Sequence, residues 1–303
     1  MARNTYESWI PEEYDSKVIV RVKAVSAVEA LAEPTPMKSD TKSVPRSSGV
    51  DVEFIPKGGV YGEDTGANDD IVLTARKFGK AIRIADEDIA DSLANIVQTK
   101  QLDWATSYAK MLDNAALAVT AAVAGAGVPF VSVYATLATA NAGLGYAAND
   151  NLVTSGSGGA TYDMLSAVVA KVEQGDYFDL ANMVVIAHPA FREGLRLVKD
   201  AQQRPIFIQG TAGTPDTLFN LPITWSLGAK TSASATPKPT GSPLLVVANK
   251  QYLRLGVRSG PETHFIDADG VGALTDEAIL KLRARRGFGV GNPSAFAILV
   301  DNS

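Results

Sequence analysis

Apolar and polar positions along this chain change period several times. In "VDVEFIPKGGVYGEDTGANDDIVLTARKFGKAIRIAD", residues 50–86, Val50, Val52 and Phe54 alternate with Asp51 and Glu53, the period of a half-covered strand. A glycine-rich tip follows. Arg76, Phe78, Lys80, Ile82 and Ile84 then share one face of a returning strand. The pattern predicts a hairpin whose second strand, from Ile71 to Ile84, is about 45 Å long. A free two-stranded ribbon is marginal in water, so it packs on its own domain or reaches onto a different copy. Asp86 is placed to cap a helix, with Glu87 and Asp88 in its first turn. Ile89, Leu93, Ile96, Val97, Trp104, Tyr108, Met111, Leu112 and Ala115 keep helical spacing. This predicts one helix to about Val123, roughly 55 Å long, a spine for other elements.

Upstream, a helix beginning at Pro11 is expected from Tyr14, Val18, Val22, Val25 and Val28. "EPTPMKSDTKSVPRSSG", residues 33–49, then reads as an extended arm that cannot form a core alone. Downstream of a flexible "TSGSGG" joint the pattern becomes helix, strand, helix, then strands. Thr161 caps a helix to about Glu173, "NMVVIAHP" is a buried strand, and "PAFREGLRLVKDAQ" carries Phe191, Leu195 and Val198 on one side. "LPITWS", "LLVVAN" and "YLRLGVRS" follow as strands, giving a small mixed α/β domain. The polar loop "AKTSASATPKPTGSP" is expected to be exposed. The chain closes with "AILKLRARRGFGVGNPSAFAILV", two strand-like runs around a Gly/Pro turn.

Composition narrows the function classes. The chain has 303 residues and a net charge of −5, which suits two domains and argues against tight phosphate neutralisation, though not against enclosing nucleic acid. With no cysteine there are no disulfides, thiolate metal sites or cysteine nucleophiles, and a cytoplasmic origin is the default. "MARNTYESWIPEEYDSK" has no apolar run after its arginine, so no secretory signal is expected. Residues 114–149 carry no charge, but Ala, Thr and Gly dominate and Pro129 interrupts them. A buried helix end followed by a close-packed loop fits better than a membrane span.

Enzyme motifs are poor. "GLGYAA", residues 143–148, lacks the strand that a dinucleotide loop requires. "SDTK", Ser39 to Lys42, lies in the arm without companion motifs. "DADG", residues 267–270, starts like a calcium loop but places Val271 at a ligand position. His188 and His264 are the only histidines and read as structural. No cofactor, metal or catalytic residue is expected. The charges are patterned, however. Glu63, Asp64, Asp69 and Asp70 cluster at the hairpin tip, Arg76, Lys77, Lys80 and Arg83 on its shank, and Lys281, Arg283, Arg285 and Arg286 on the last long strand. They form either solvated faces or acidic tips and basic strands that meet between subunits, where such pairs set register.

The order of parts, and the phrases "IPKGGVYGED…LTARKFGKAIRIADEDIADSL", "VVIAHPAFREGLRLVKDAQQRPIF", "LFNLPITWS" and "ILKLRARRGFGVGNPSAFAIL", resemble the major capsid proteins of tailed double-stranded DNA bacteriophages, especially those of actinobacteria. The resemblance implies an α+β, Hong Kong 97-type fold: an N-terminal arm (1–48), an extended hairpin loop (49–84), a peripheral domain with a spine helix (85–157, with return strands 273–303) and an axial domain (160–272). It implies a structural, non-enzymatic protein that assembles into pentamers and hexamers of an icosahedral shell, in the host bacterial cytoplasm, and becomes part of the virion. The hairpin and arm would lie on neighbouring copies and shift during maturation. Phe54 and Lys57 join the charged clusters as interface candidates.

In that family a helical scaffolding segment sometimes precedes the arm; here the arm begins at Met1, so scaffolding is expected to be a separate protein or unnecessary. Portal and decoration proteins are further expected partners, with DNA enclosed rather than read and no membrane. Some members cross-link a hairpin lysine to an asparagine with the help of a glutamate. Lys57 and Asn292 are the conceivable pair, but "AFAILVDNS" has no glutamate, so no self-cross-linking is expected. Monomer bands that survive boiling in detergent would agree; a ladder would not. The rivals are an encapsulin, a bacterial nanocompartment of the same fold, and a cytosolic α/β enzyme built on residues 160–272. The proline-rich arm favours the phage reading over the first, and the hairpin over the second.

Overall fold

The structure is a computed structural model. It describes residues 23–47, 49–50, 52–63, 69–91, 95–156, 158–199, 204, 207–210, 215–267 and 275–302. The helix expected from Pro11 to Val22, together with Asp64, Leu93 and Val271, lies outside the described residues.

The elements in chain order are α1 (Ala27–Leu31), β1 (Glu33–Pro36), β2 (Thr41–Arg46), β3 (Asp69–Thr74), β4 (Arg76–Ala85), α2 (Asp86–Asp91), α3 (Ile96–Leu117), α4 (Val133–Ala138) and β5 (Leu152–Thr154). Then come α5 (Tyr162–Glu173), β6 (Met183–Ala187), α6 (Phe191–Leu197), β7 (Phe207–Ile208), β8 (Thr217–Leu218), β9 (Leu221–Trp225), β10 (Leu244–Asn249), β11 (Leu253–Ile266), β12 (Glu277–Val290) and β13 (Phe296–Val300). They form a seven-stranded sheet in the order β5-β13-β10-β6-β9-β8-β7, a four-stranded sheet in the order β1-β11-β12-β4, and the two-stranded ribbon β2-β3.

The central strands β6, β10 and β13 of the seven-stranded sheet are buried on both faces, which is why they are almost wholly apolar runs. Along β10, Leu244, Val246 and Ala248 enter one core while Leu245 and Val247 enter the other. β13 divides likewise, with Phe296 and Ile298 on the first side and Ala297 and Leu299 on the second. The second core is covered by α5 and α6 through Leu165, Val168, Phe191 and Leu195. Thr161 caps α5 as expected, its hydroxyl accepting from the Met164 N–H. The first core holds the buried end of α3, α4 and the inner face of the four-stranded sheet, including Phe78, Leu255 and Phe288. Residues 114–119 end α3 in full burial, as their uncharged composition suggests. Each sheet draws strands from both sides of residue 160: β5 pairs with β13, and β4 with β12.

Four sequence expectations are corrected. First, the hairpin is not made from 50–54 and 71–84. β3 pairs antiparallel with β2, from Thr41↔Thr74 to Arg46↔Asp69, and β4 pairs with β12 instead. Side chains fix that register: Arg46 Nε donates to Asp69 Oδ1 at 2.6 Å and Ser43 contacts Asp70. The alternation at Val50, Val52 and Phe54 has no partner strand.

Second, the described part of the arm finds cover on its own chain. β1 pairs parallel with β11, and Met37 lies over the opposed glycines Gly256 and Gly287, where a Cβ on Gly256 would come within 2.5 Å of its sulfur. Ser26 caps the described arm helix, and Val25 ahead of it is exposed.

Third, the spine is interrupted. Asn95 leaves helical geometry (φ −73°, ψ 90°) and caps α3, its Oδ1 accepting from the Gln98 N–H at 2.9 Å. Twenty-two residues give α3 a length of about 33 Å. It stops at Leu117 because Val119 and Thr120 turn to bond Ser232.

Fourth, the polar loop after β9 is half buried. It wraps the end of α3, where Asn114 Nδ2 donates to the Gly228 and Lys230 carbonyls at 3.0 and 2.8 Å. Asn114 Oδ1 accepts from Ser232 Oγ and the Thr236 N–H at 2.7 and 3.1 Å.

Candidate subunit interface

The loop between β2 and β3 exposes several large apolar side chains. Phe54 is 91% exposed, Val52 96%, Val60 91% and Tyr61 82%. The loop is tied to itself. The Gly59 N–H donates to the Pro56 carbonyl at 2.8 Å, and Gly58, at φ +85°, occupies the position of a tight turn that needs a left-handed residue. The Gly62 N–H donates to Glu53 Oε1 at 2.9 Å. Lys57 stands in the turn, and Glu63 is exposed. A self-closed loop that presents four large apolar side chains to water is an unsatisfied surface. Its root is fixed, because Ile71 and Leu73 of β3 pack on Gly289, leaving room for nothing larger.

A groove of about 420 Å³ opens on the same chain between β4 and α3. Phe78, Ile82, Trp104, Tyr108 and Met111 line it, with Lys80 at its side. Trp104 stacks on Tyr108 at 5.2 Å between centroids, and Phe78 meets Tyr108 edge-on at 6.1 Å. The spacing of 104, 108 and 111 marks a helix face in the sequence. That this face is left partly open follows only from how the sheet ends at β4.

The charged candidates separate. Asp69 is held by Arg46, which lowers its pKa, and Asp70 by Ser43; both lie in β3 rather than at the tip. Arg286 is buried within its own chain: its Nε donates to Glu29 Oε1 at 2.8 Å and Nη1 to the Ser259 carbonyl at 2.7 Å, while the Tyr108 hydroxyl donates to the same Glu29 oxygen at 2.9 Å. It locks α1 to the sheet. Residues directly opposed across strands share a face, so Arg76 and Lys80, opposite Arg286 and Leu282, stand on the groove side. Lys77, Lys281, Arg283 and Arg285 stand on the other. Asn292 is buried and caps the turn at Pro293, accepting from the Ser294 N–H at 2.9 Å.

Sequence reasoning passed over Asp113. It is 1% exposed and accepts four hydrogen bonds, from Ser26 Oγ (2.5 Å), Ser226 Oγ (2.5 Å) and the N–H groups of Ala27 (2.9 Å) and Val28 (3.1 Å). Burial pushes its pKa up, against the pull of these donors. The only sequence signal was an adjacent acid and amide, Asp113 and Asn114, inside an apolar helix.

His188 is structural, as expected: its Nδ1 accepts from the Ala190 N–H at 3.0 Å. Burial, with a smaller push from Lys230, lowers its pKa from 6.5 to about 4. The native state therefore refuses a proton that the unfolded chain accepts below pH 6.5. This contribution to stability is complete above 6.5 and is lost as pH falls toward 4. The residue is only partly buried, so roughly 1–2 kcal/mol is expected in place of the full linkage value. His188→Asn keeps an acceptor for Ala190 and does not titrate. Urea melts at pH 7 and pH 4.5 should show a smaller acid loss for the variant; equal losses would dismiss this role.

Among the described residues there is no cluster of metal-binding side chains, and no helix is long and apolar enough to cross a membrane. The "GLGYAA" stretch begins in a short 3-10 turn closed by Gly145, not a strand-to-helix loop.

A model of the phage capsid family matches residues 8–301. The chain belongs to the phage capsid family. A solved chain of Mycobacterium phage Bobi is similar to this phage capsid protein with a TM-score of 0.71 at 19% identity, covering 97% of this chain and 96% of that one. One of Microbacterium phage Oxtober96 has a TM-score of 0.70 at 17% identity, with 97% and 96% coverage. The capsid of a native GTA particle has a TM-score of 0.71 at 15% identity, with 97% and 95% coverage. At these identities the likeness speaks for the fold. No curated protein matches the sequence. The protein is a structural shell component of a virion, and the phage capsid reading stands over the encapsulin alternative.

Proposed function

We propose that copies of this chain form pentamers and hexamers of a closed icosahedral shell around double-stranded DNA, and that the 49–63 loop of one copy enters the β4–α3 groove of the next. The observation that carries this is the pairing of an ordered apolar loop with an open aromatic groove on a different part of the same chain. Loop and groove are different surfaces, so the contact is head-to-tail and generates rings when its rotation closes. Phe54 supplies the apolar anchor, with Lys57 and Glu63 in the same loop and Lys80 lining the groove. Asp69, Asp70 and Arg286 act one step back, holding the loop's root and α1 in place. The extended loop is the β2–β3 ribbon with the residues that connect its strands, and β4 belongs with β12 to the peripheral unit. The role is structural, without catalysis, and assembly takes place in the host cytoplasm.

Each subunit makes several such contacts at once, so a modest contact gains strength from the effective concentration of its neighbours. Electron microscopy of the purified protein should show closed shells. A monodisperse monomer by light scattering under the same conditions would end the proposal.

A further inference from the structure

The outer face of the four-stranded sheet has a character unlike the groove side. Lys77–Arg285, Gly79–Arg283 and Ala81–Lys281 are directly opposed across β4 and β12, and β11 adds Ser259, Glu262 and His264 in the same rows. The buried partners Phe78, Leu280, Leu282 and Ala284 occupy the alternate positions and point to the core. The cations therefore stand together on the side away from α3, about 7 Å apart along each strand.

Two of this face's cations are neutralised: Arg83 by Glu277 at 3.0 Å and Arg283 by Glu262 at 2.9 Å. Lys77, Lys281 and Arg285 make no ion pair among the described residues, and Lys77 is set directly against Arg285. Like charges opposed across strands destabilise a sheet. The fold keeps that repulsion with no return in stability, which points to an anion supplied from outside.

Two observations favour phosphate over the carboxylates of another copy. Protein interfaces center on apolar or aromatic anchors, whereas Lys77, Lys281 and Arg285 are flanked by the small Gly79 and Ala81 of β4 and the polar Ser259, Glu262 and His264 of β11, with Ile279 and Ile266 only at the far end of the face. Interfaces with nucleic acid are polar and strongly positive. The nearby hairpin acids are already taken, Asp69 by Arg46 and Asp70 by Ser43.

We propose that this sheet face binds the phosphate backbone of duplex nucleic acid without reading its bases. The proposal rests on the shell reading in one respect: it assigns this face to the lumen. The contact is purely ionic and carries no sequence information. The net charge of −5 does not oppose it, because the face acts through its local field.

The test measures binding of a 30-base-pair duplex to the full chain before assembly, by fluorescence anisotropy over a range of NaCl concentrations. The triple variant K77Q/K281Q/R285Q should bind at least tenfold more weakly at low salt. Its slope of log K against log salt should be shallower by about 2.7, the release expected for three phosphate contacts. Shells of the variant should form as for the wild type. An unchanged slope, or no binding by the wild type, overturns the proposal. So does loss of shells in the variant, which would assign the face to contact with another copy. Failure of the wild type to form shells would strike the shell reading alone, since binding is read on unassembled chains.

Discussion

Asp113→Ala is expected to destabilise the subunit by about 3–5 kcal/mol, the range for leaving several buried polar groups unsatisfied. The carboxylate holds three segments together: the N-terminus of α1 through Ser26, Ala27 and Val28, the body of α3, and the end of β9 through Ser226. The carboxyl also faces the N–H groups at the start of α1, where an acceptor is favourable. Removal strands two amide N–H groups and two hydroxyls. The adjoining cavity of about 350 Å³ can admit water to some of them, which sets the lower end of the range. A thermal melt should fall by roughly 5–15 °C for a chain of this size. Cleavage at Glu29 or Glu33 by a glutamate-specific protease should accelerate as α1 comes loose. Asp113→Asn keeps one acceptor but turns an amide donor toward donors, so about half the loss is expected. A melt within 1 °C of wild type for the alanine variant would show that α1 is held by other contacts.

That hub illustrates what sequence reading reaches. Elements whose burial is complete announce themselves: "NMVVIAHP" and "LLVVAN" are unbroken apolar runs because both faces of β6 and β10 meet a core. Thr161 and Phe191 mark α5 and α6 by local chemistry. Pairing partners are another matter. "VDVEF" has strand periodicity and no strand, while "TKSVPR" contains a proline and pairs, because Arg46–Asp69 and Ser43–Asp70 choose the register across more than twenty residues. Helical spacing runs unbroken from Ile89 through Ile96, so periodicity cannot see Asn95 restart the helix. The alternation in "ILKLRARR" correctly divides Lys281, Arg283 and Arg285 from the buried positions. It does not reveal that Arg286, next in sequence, turns inward to Glu29, a residue 257 positions away. Asp113 is invisible for the same reason: its donors lie 85 to 113 positions away.

The double variant Phe54→Asp/Tyr61→Asp is expected to abolish shells without weakening the subunit. Both side chains are more than four-fifths exposed, at 91% and 82%, so the isolated fold loses nothing by the change and its melt should stay within about 0.5 kcal/mol of wild type. At a contact the arithmetic differs. Burying a large apolar side chain is worth about 1.5–3 kcal/mol, so losing two of them removes roughly 3–6 kcal/mol from every loop–groove contact. That raises the concentration needed for association by about 10² to 10⁴. A carboxylate carried into the aromatic groove deepens the loss. Because the contact is head-to-tail, the variant still offers an intact groove to a wild-type loop but passes no loop onward. Mixed with wild type at a minority ratio it should therefore terminate rings, lowering shell yield by more than its own share, and electron microscopy with sedimentation would read this directly. Normal shells from the variant alone would remove the loop from the interface. A yield that falls only in proportion to the variant added would mean that loop and groove do not form one directional chain of contacts.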